Sequence, residues 1–203
     1  MLFILSQFVQ ALKEENFEVA QGVLQYLKGT PGYGVLLRST YDLQIHAFCD
    51  VNGGACPLTR QSITVYLVTL GGSPISWKTK KETIISHSPA EDEYRYMTTT
   101  TSELIWLKVL LASVGVFHTS AMYLSCDSQA AVRIAKNLIL YERTKHIELD
   151  CHFVWEQLKA RDLIFSYIHT TQQPADIVTK ALGRKQFTYL RVKLGKIDAH
   201  APT

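Results

Sequence analysis

The sequence predicts a mixed α/β domain, with helices packed on a mixed sheet. Three observations indicate this class. Three short runs rich in β-branched and aromatic residues follow one another between positions 43 and 78, a long helical pattern begins near position 89, and later strand-like runs alternate with helices. With 203 residues, 47% of them apolar and 19% charged, the chain is long enough for one well-buried domain plus extensions.

The composition limits which cellular compartment and which classes of binding partner are expected. The four cysteines show neither CxxC spacing nor a dense framework, which is typical of free thiols in a reducing compartment. The apolar start, MLFILSQFVQAL, lacks the early basic residue and the small cleavage residues of a secretory signal, and no apolar run approaches the ~20 residues that span a bilayer. We expect an intracellular protein, cytoplasmic or nuclear, without a membrane partner. The net charge of +3 is compatible with a polyanionic partner but too small to establish one.

The first elements are a helix and two strands. Apolar residues recur at helical spacing over 16–28, and Gly-Thr-Pro-Gly ends this helix. Residues 33–38 and 43–49 are strand-like, with a polar connection between them. The second of these strands leads into Asp50, and the glycines that follow form a turn, so we expect Asp50 at a strand end.

Two more strands complete a meander. Residues 62–70 are β-branched and aromatic, Gly-Gly-Ser-Pro turns the chain, and residues 75–78 form the next strand. Three successive strands joined by short connections predict an antiparallel arrangement.

The pattern becomes helical at Ser88, a favourable N-cap, and Pro89, which suits the first helical position. One stripe of this helix is predicted to face the sheet: Glu93, Met97, Thr100, Leu104, Leu107 and Leu111. The stripe carries Glu93 inward, whereas Glu91 lies about 200° round the helix and points elsewhere. The alternative is that these acids only stabilise the helix N-terminus.

The remaining chain alternates strands and helices. A strand over 121–126 delivers Asp127 to the start of a helix, a longer helix spans about 144–160, and a strand follows at 163–168. A loop then leads into a helix near Pro174, with Asp176 in its first turn. An alternative role for Asp176 is a salt bridge to Lys180 four residues on.

Several strings resemble the RNase H domain of copia-type LTR retrotransposon Pol polyproteins, and the upstream SQF…VLQYLKGTPGYGVLL resembles the segment that links reverse transcriptase to it. The matching strings are CDVNGGACPLTRQS, GGSPISWKTKK, SPAEDEYRYM, ELIWLKVLL, CDSQAA, RTKHIELDCHF and ADIVTKALG. The resemblance implies an RNase H-like fold, a five-stranded mixed sheet flanked by helices and preceded by a helix-hairpin extension. We assign residues 1–40 to the connection segment, 41–183 to the RNase H-like domain and 184–203 to a C-terminal helix and tail.

The resemblance also implies a site. Its four catalytic, metal-binding carboxylates correspond to Asp50, Glu93, Asp127 and Asp176, with Glu91 as the runner-up to Glu93. The implied cofactor is a pair of Mg²⁺ ions, for which Mn²⁺ is expected to substitute. Hard ions of this kind prefer carboxylate, water and phosphate oxygens, which explains a set of converging acids.

The implied substrate is the RNA strand of an RNA:DNA hybrid, read through 2′-hydroxyls and phosphates. The candidate substrate-binding residues are Arg60, Lys78, Lys80, Lys81, Ser128, Gln129, Arg143, Lys145 and His146. A solvated basic face is the alternative for the cations. His169 is a candidate accessory residue for product release, with a purely structural role as its alternative.

The chain departs from the family around the first aspartate, where CDVNGGA replaces a motif like SDADWAG. No proposed ligand is lost, but the change places continued catalysis in question. Three interpretations therefore stand: a Mg-dependent ribonuclease H, with the element's reverse transcriptase as a partner; a catalytically decayed nucleic-acid-binding or interaction remnant; and a secreted, effector-like protein.

Overall fold

A computed structural model of the chain describes its backbone at residues 13–29, 31–35, 37, 42–52, 62–81, 89–136, 148–180 and 182–198. The side chains of residues 89–91, 148, 149 and 196–198 lie outside this description. The chain divides into two compact units, a small one from residues up to 36 and from 196 onward, and a large one over 37–195. The domain boundaries at residues 40 and 183 stay predictions.

Helices and strands alternate in both units. Their bounds are α1 (Glu14–Lys28), β1 (Tyr33–Val35), β2 (Ile45–Asn52), β3 (Ile63–Leu70), β4 (Ser73–Lys81), α2 (Pro89–Ser113), β5 (Met122–Cys126), α3 (Gln129–Lys136), α4 (Glu148–Lys159), β6 (Leu163–Tyr167), a 3₁₀ turn (Thr170–Gln172), α5 (Asp176–Thr179), α6 (Arg184–Lys193) and β7 (Lys196–Asp198). None of the described helices is both long and apolar enough to cross a bilayer.

The large unit is built on a five-stranded sheet of order β4-β3-β2-β5-β6. β2, β3 and β4 form the predicted antiparallel meander, and β5 and β6 run parallel to β2. This confirms the predicted α/β class and the five-stranded mixed sheet flanked by helices. β3 reads as a continuous apolar run because both of its faces are covered, whereas the edge strand β4 alternates between covered and exposed residues.

The main core lies between one face of the sheet and α2, α3 and α4. The predicted inward stripe of α2 is confirmed, since Met97, Thr100 and Leu104 are fully buried and Leu107 nearly so. Residues of β2, β5 and β6 pack against the same cluster. Because the stripe holds α2 against the sheet, the first turns of the helix are fixed over the ends of β2 and β5.

A smaller apolar cluster covers the opposite face. Phe48, Val65 and Leu67 of β2 and β3 pack there against Ala175 and Leu194. The segment that precedes α5 is therefore anchored on the sheet, although its sequence, TTQQPA, reads as a polar loop. This anchoring brings Asp176 to the strand end that carries Asp50.

The small unit consists of α1 and a two-stranded sheet. Tyr33–Val35 pairs antiparallel with Lys196–Asp198, a segment predicted to belong to the C-terminal tail. The predicted helix-hairpin extension is corrected here, because β1 pairs with the far end of the chain rather than with the strand that follows it. Among its described residues, α1 has none that is buried.

Candidate functional site

Two acids lie near the carboxyl ends of adjacent parallel strands. β2 and β5 pair in register with Cys49 opposite Cys126, so Asp50, two residues before the end of β2, and Asp127, directly after β5, lie side by side at this edge. Glu93 reaches this edge from the start of α2. Carboxylate oxygens of Asp50, Glu93 and Asp127 all lie within 4.8 Å of one another. We call these three residues the acidic triad.

Burial makes the triad costly in the absence of a cation. Burial, followed by the charges of Cys126, Asp50 and Asp127, raises the pKa of Glu93 to about 9. Burial also raises the pKa of Asp127, as does the charge of Asp50. One oxygen of Glu93 is buried with no hydrogen-bond partner among the described residues. The three groups therefore oppose one another's ionisation, and a divalent cation would remove that opposition.

The donor set fits a hard divalent ion. All three members of the triad offer carboxylate oxygen, the ligand type that Mg²⁺ and Mn²⁺ prefer. The thiol of Cys49 does not compete for the ion, since the hydrogen bond with Cys126, together with burial, raises its pKa and keeps it protonated, whereas the same hydrogen bond lowers the pKa of Cys126. The triad could hold such an ion through Asp50, Glu93 and Asp127.

Asp176 joins the site through a lysine. The Lys180 ammonium lies 2.7 Å from Asp176 Oδ1 and 3.1 Å from Asp50 Oδ2, while both carboxylates are almost entirely buried. The salt bridge between Asp176 and Lys180, which the sequence offers as an alternative role for Asp176, is present, and the second contact of Lys180, with Asp50, was not predicted. Burial raises the pKa of Asp50, and the nearby Lys180 opposes that rise. All four predicted acids thus converge, with Asp176 held beside the triad by Lys180.

Two residues that were not predicted as site residues fix the loop before α5. The Thr170 hydroxyl donates to Asp127 Oδ2 at 3.0 Å, and the fully buried Gln173 donates from Nε2 to the Cys49 carbonyl at 2.9 Å. The first hydrogen bond holds the loop to Asp127, after β5, and the second holds it to Cys49, the residue before Asp50. Together they set the position of the loop that carries Asp176.

The predicted substrate-binding residues divide into two groups. Ser128 caps α3, where its hydroxyl accepts the backbone N–H of Ala131 at 3.2 Å, and Gln129 is exposed as the first residue of that helix. Lys78 and Lys80 are exposed and Lys81 is half-buried on β4. The others lie outside the described residues: Arg60, Arg143, Lys145, His146 and the side chain of Glu91.

His169 has a structural contact in this fold. It is exposed, and its Nδ1 accepts the backbone N–H of Thr171 at 3.3 Å, which caps the 3₁₀ turn. The same nitrogen lies 2.9 Å from the Thr171 hydroxyl. Its predicted accessory role stays a prediction, while the structural alternative has these contacts in its favour.

Two relatives that match nearly the whole chain are Pol polyproteins of transposons. No protein-family model matches the chain. The retrovirus-related Pol polyprotein from transposon RE1 of Arabidopsis thaliana is 35% identical over 191 residues, which cover 94% of this chain and 13% of the polyprotein. The Pol polyprotein from transposon TNT 1-94 of Nicotiana tabacum is 33% identical over 192 residues, with 95% and 14% covered. The chain therefore spans about an eighth of the length of these relatives.

Two further likenesses are more distant or shorter. The secreted RxLR effector protein 161 of Plasmopara viticola is 30% identical over 106 residues, covering 52% of this chain and 75% of the effector. Among solved structures, the N-terminal RNase H domain of Rv2228c from Mycobacterium tuberculosis matches with a TM-score of 0.43 at 11% identity, covering 74% of this chain and 98% of that chain.

Proposed function

Since the chain belongs to the Pol polyproteins of copia-type retrotransposons, we propose that it is their ribonuclease H, which hydrolyses the RNA strand of RNA:DNA hybrids with divalent metal ions. The observation that carries the proposal is the convergence of the acidic triad, whose oxygens from three separate elements lie within 4.8 Å of one another. A fold hosts many functions, so this site supports the proposal more strongly than the sheet topology does.

The acids supply the ligands for the metal chemistry. When bound, two Mg²⁺ ions make a water nucleophilic and stabilise the leaving 3′ oxygen of the RNA. Asp50, Glu93 and Asp127 would hold one ion, and Asp176 with Asp50 would face the other. The water would lose a proton as its oxygen adds to phosphorus, and the bond from phosphorus to the 3′ oxygen would break as that oxygen takes up a proton. The products carry a 5′-phosphate and a 3′-hydroxyl.

Groups around the triad suit a nucleic-acid backbone. Asp50 pairs with Val65 and Val65 with Thr79, so Lys78 and Lys80 flank the position two strands from Asp50, at about 10 Å for a strand spacing near 4.8 Å. Both lysines are exposed and can contact phosphates. On the other side of the site, Ser128 and Gln129 begin α3 directly after Asp127. These groups are our candidates for contacts to the hybrid.

The element's reverse transcriptase is the proposed partner. The relatives are polyproteins of which this chain matches 13% to 14%. Phosphate contacts supply much of the affinity for nucleic acid, and the net charge of this chain is only +3. A neighbouring polymerase would add the contacts that the chain lacks, so the isolated chain should be assayed at high concentration and low salt.

The proposal is tested by cleavage of a labelled RNA:DNA hybrid with Mg²⁺, with Mn²⁺ and with EDTA, beside matched duplex DNA. Asp127→Asn removes a ligand of the triad. Asp162→Asn is the matched control, because Asp162 pairs with Lys108 on the surface away from the acidic triad. The expected result is metal-dependent cutting of the hybrid alone, lost in Asp127→Asn and kept in Asp162→Asn.

Two other outcomes would each overturn the proposal. A folded wild-type protein that binds the hybrid but does not cut it would be a catalytically decayed binding remnant. A folded protein that neither binds nor cuts the hybrid would keep the inherited fold without the activity.

The likeness to the Plasmopara effector favours a second candidate function, that of a secreted effector-like protein. It covers half of this chain, whereas the Pol relatives cover nearly all of it. Recovery of the protein, with a cleaved N-terminus, from material exported by its cells would support this candidate. Retention of the whole protein inside the cells would exclude it.

A further inference from the structure

Lys180 occupies a position between two acids of the site. Its ammonium contacts Asp176 Oδ1 at 2.7 Å and Asp50 Oδ2 at 3.1 Å, and its side chain is 26% exposed. The backbone supports this placement, because the Lys180 N–H donates to the Asp176 carbonyl at 2.8 Å and closes the single turn of α5. The lysine is therefore fixed at its backbone and open to solvent along its side chain.

The two carboxylates require a cation. Their side chains are 4% and 2% exposed, and buried carboxylates without a partner are strongly unfavourable. Lys180 neutralises part of their charge, and it is the only basic side chain within ion-pair distance of either acid among the described residues. The metal-free site is thus partly compensated by the chain itself.

The position of the ammonium conflicts with a divalent ion. Mg²⁺ binds oxygen at about 2.1 Å, so an ion that joined Asp50 Oδ2 to Asp176 Oδ1 would lie within the space that Nζ fills. Two cations so close would also repel each other strongly. The ammonium and an ion at this pair of acids therefore exclude each other. The triad meets this obstacle only at Asp50 Oδ2, because among the described residues neither Glu93 nor Asp127 lies within ion-pair distance of Lys180.

We propose that Lys180 is a positioning residue that serves as a built-in cation for Asp50 and Asp176. The substrate-free protein then binds one divalent ion tightly, at the acidic triad, and accepts a second ion between Asp50 and Asp176 only when the lysine is displaced toward solvent. This inference rests on the proposed metal-dependent function and deepens it. It divides the four acids into one site that can bind an ion in the substrate-free protein and a second site that Lys180 blocks.

The test counts Mn²⁺ ions bound to the substrate-free protein, by electron paramagnetic resonance or calorimetry. Lys180→Gln removes the built-in cation, and Lys180→Arg keeps the charge. Lys108→Gln is the matched control, because it breaks a Lys–Asp ion pair of the same 2.7 Å length away from the triad. We expect wild type, Lys180→Arg and Lys108→Gln each to bind one ion tightly. In Lys180→Gln, we expect the second ion to bind at least tenfold more tightly than it does in wild type.

Wild type that binds two ions of similar affinity would overturn the inference, as would a Lys180→Gln variant that binds metal as wild type does. Asp176→Asn provides a second measurement should Lys180→Gln not fold. Its first ion is expected to keep wild-type affinity within about threefold, and a tenfold loss would contradict the division of the site. If wild type bound no Mn²⁺, both this inference and the proposed function would be wrong. If Mn²⁺ bound as expected but the protein did not hydrolyse the hybrid, only the proposed function would be wrong.

Discussion

Cys49 and Cys126 lie opposite each other on neighbouring parallel strands, and each is followed in the chain by an acid. This register explains why Asp50, still within β2, and Asp127, directly after β5, lie side by side. Successive residues of a strand point to opposite faces, so a slip of one residue between β2 and β5 would separate the two carboxylates. The burial of both cysteines under α2 therefore helps to fix the spacing of the proposed metal ligands.

Glu93→Gln is expected to stabilise the metal-free protein at alkaline pH. The pKa of Glu93 is about 9 in the folded chain against 4.5 as its ordinary value, so the folded state retains a proton that the unfolded state loses. Stability is therefore lost as pH rises from 4.5 toward 9, and the glutamine removes this loss. Thermal melts with EDTA at pH 5 and pH 8 should show a gain for the variant at pH 8 only, and added Mn²⁺ should stabilise wild type more than the variant.

His46 is expected to destabilise the fold in mild acid. Burial, assisted by the charge of Lys193, lowers the pKa of His46 from 6.5 to about 4. The unfolded state then binds the extra proton first, so the stability that this group contributes is complete above pH 6.5 and falls as pH drops toward 4, by roughly 2 to 3 kcal/mol at most.

Unfolding of wild type and His46→Gln by urea at pH 7 and pH 4.5 measures this effect. The variant should lose less stability than wild type between the two pH values. His152→Gln, at an exposed position of α4, is the control and should follow wild type. Equal losses in wild type and His46→Gln would contradict the prediction.

Gln173→Ala is expected to lower the free energy of unfolding by about 1 to 3 kcal/mol, because it removes a buried hydrogen bond and leaves the Cys49 carbonyl without that donor. Gln172→Ala is the matched control, since the side chain of Gln172 is exposed. Urea denaturation compares the two. The loop before α5 is also expected to become more sensitive to proteolysis in Gln173→Ala, and equal stability of the two variants would argue against the tie to Cys49.

Leu104→Ala is expected to cost about 2 to 5 kcal/mol of unfolding free energy, because Leu104 is fully buried between α2 and the sheet and its loss leaves a cavity. Val109→Ala on the exposed face of the same helix should change stability by about 0.5 kcal/mol or less. A small effect at Leu104 would show that α2 does not depend on this stripe for its position over the strand ends.

The sequence predicted those features that depend on local pattern. Short runs of apolar, β-branched and aromatic residues bounded by turns located the five strands of the large sheet, and the period of α2 identified the face that carries Glu93. The acids Asp50 and Asp127 were found because each follows a strand-like run. Local patterns of this kind repeat within a few residues, so one chain is enough to read them.

The features that were not predicted depend on residues far apart in the chain. The spacing of four residues indicated the pair of Lys180 and Asp176, but nothing in it indicated the contact with Asp50, 130 positions earlier. Gln173 lies in a polar stretch that resembles an exposed loop, yet its amide is buried on β2. β7 has three residues, too few for any periodic signal, and becomes a strand only through its partner.

The pairing of β1 with β7 sets an order of assembly during synthesis. Tyr33 is opposite Asp198, so the ribosome must make more than 160 further residues before the first strand of the small sheet can meet its partner. The large sheet needs no residue beyond β6 and can form earlier, because chains acquire structure from the N-terminal side as they emerge. Closing so long a loop is slow. The small unit is thus the last part of the chain to fold, and a released chain that ended at residue 195 would contain every strand of the large sheet while β1 lacked its partner.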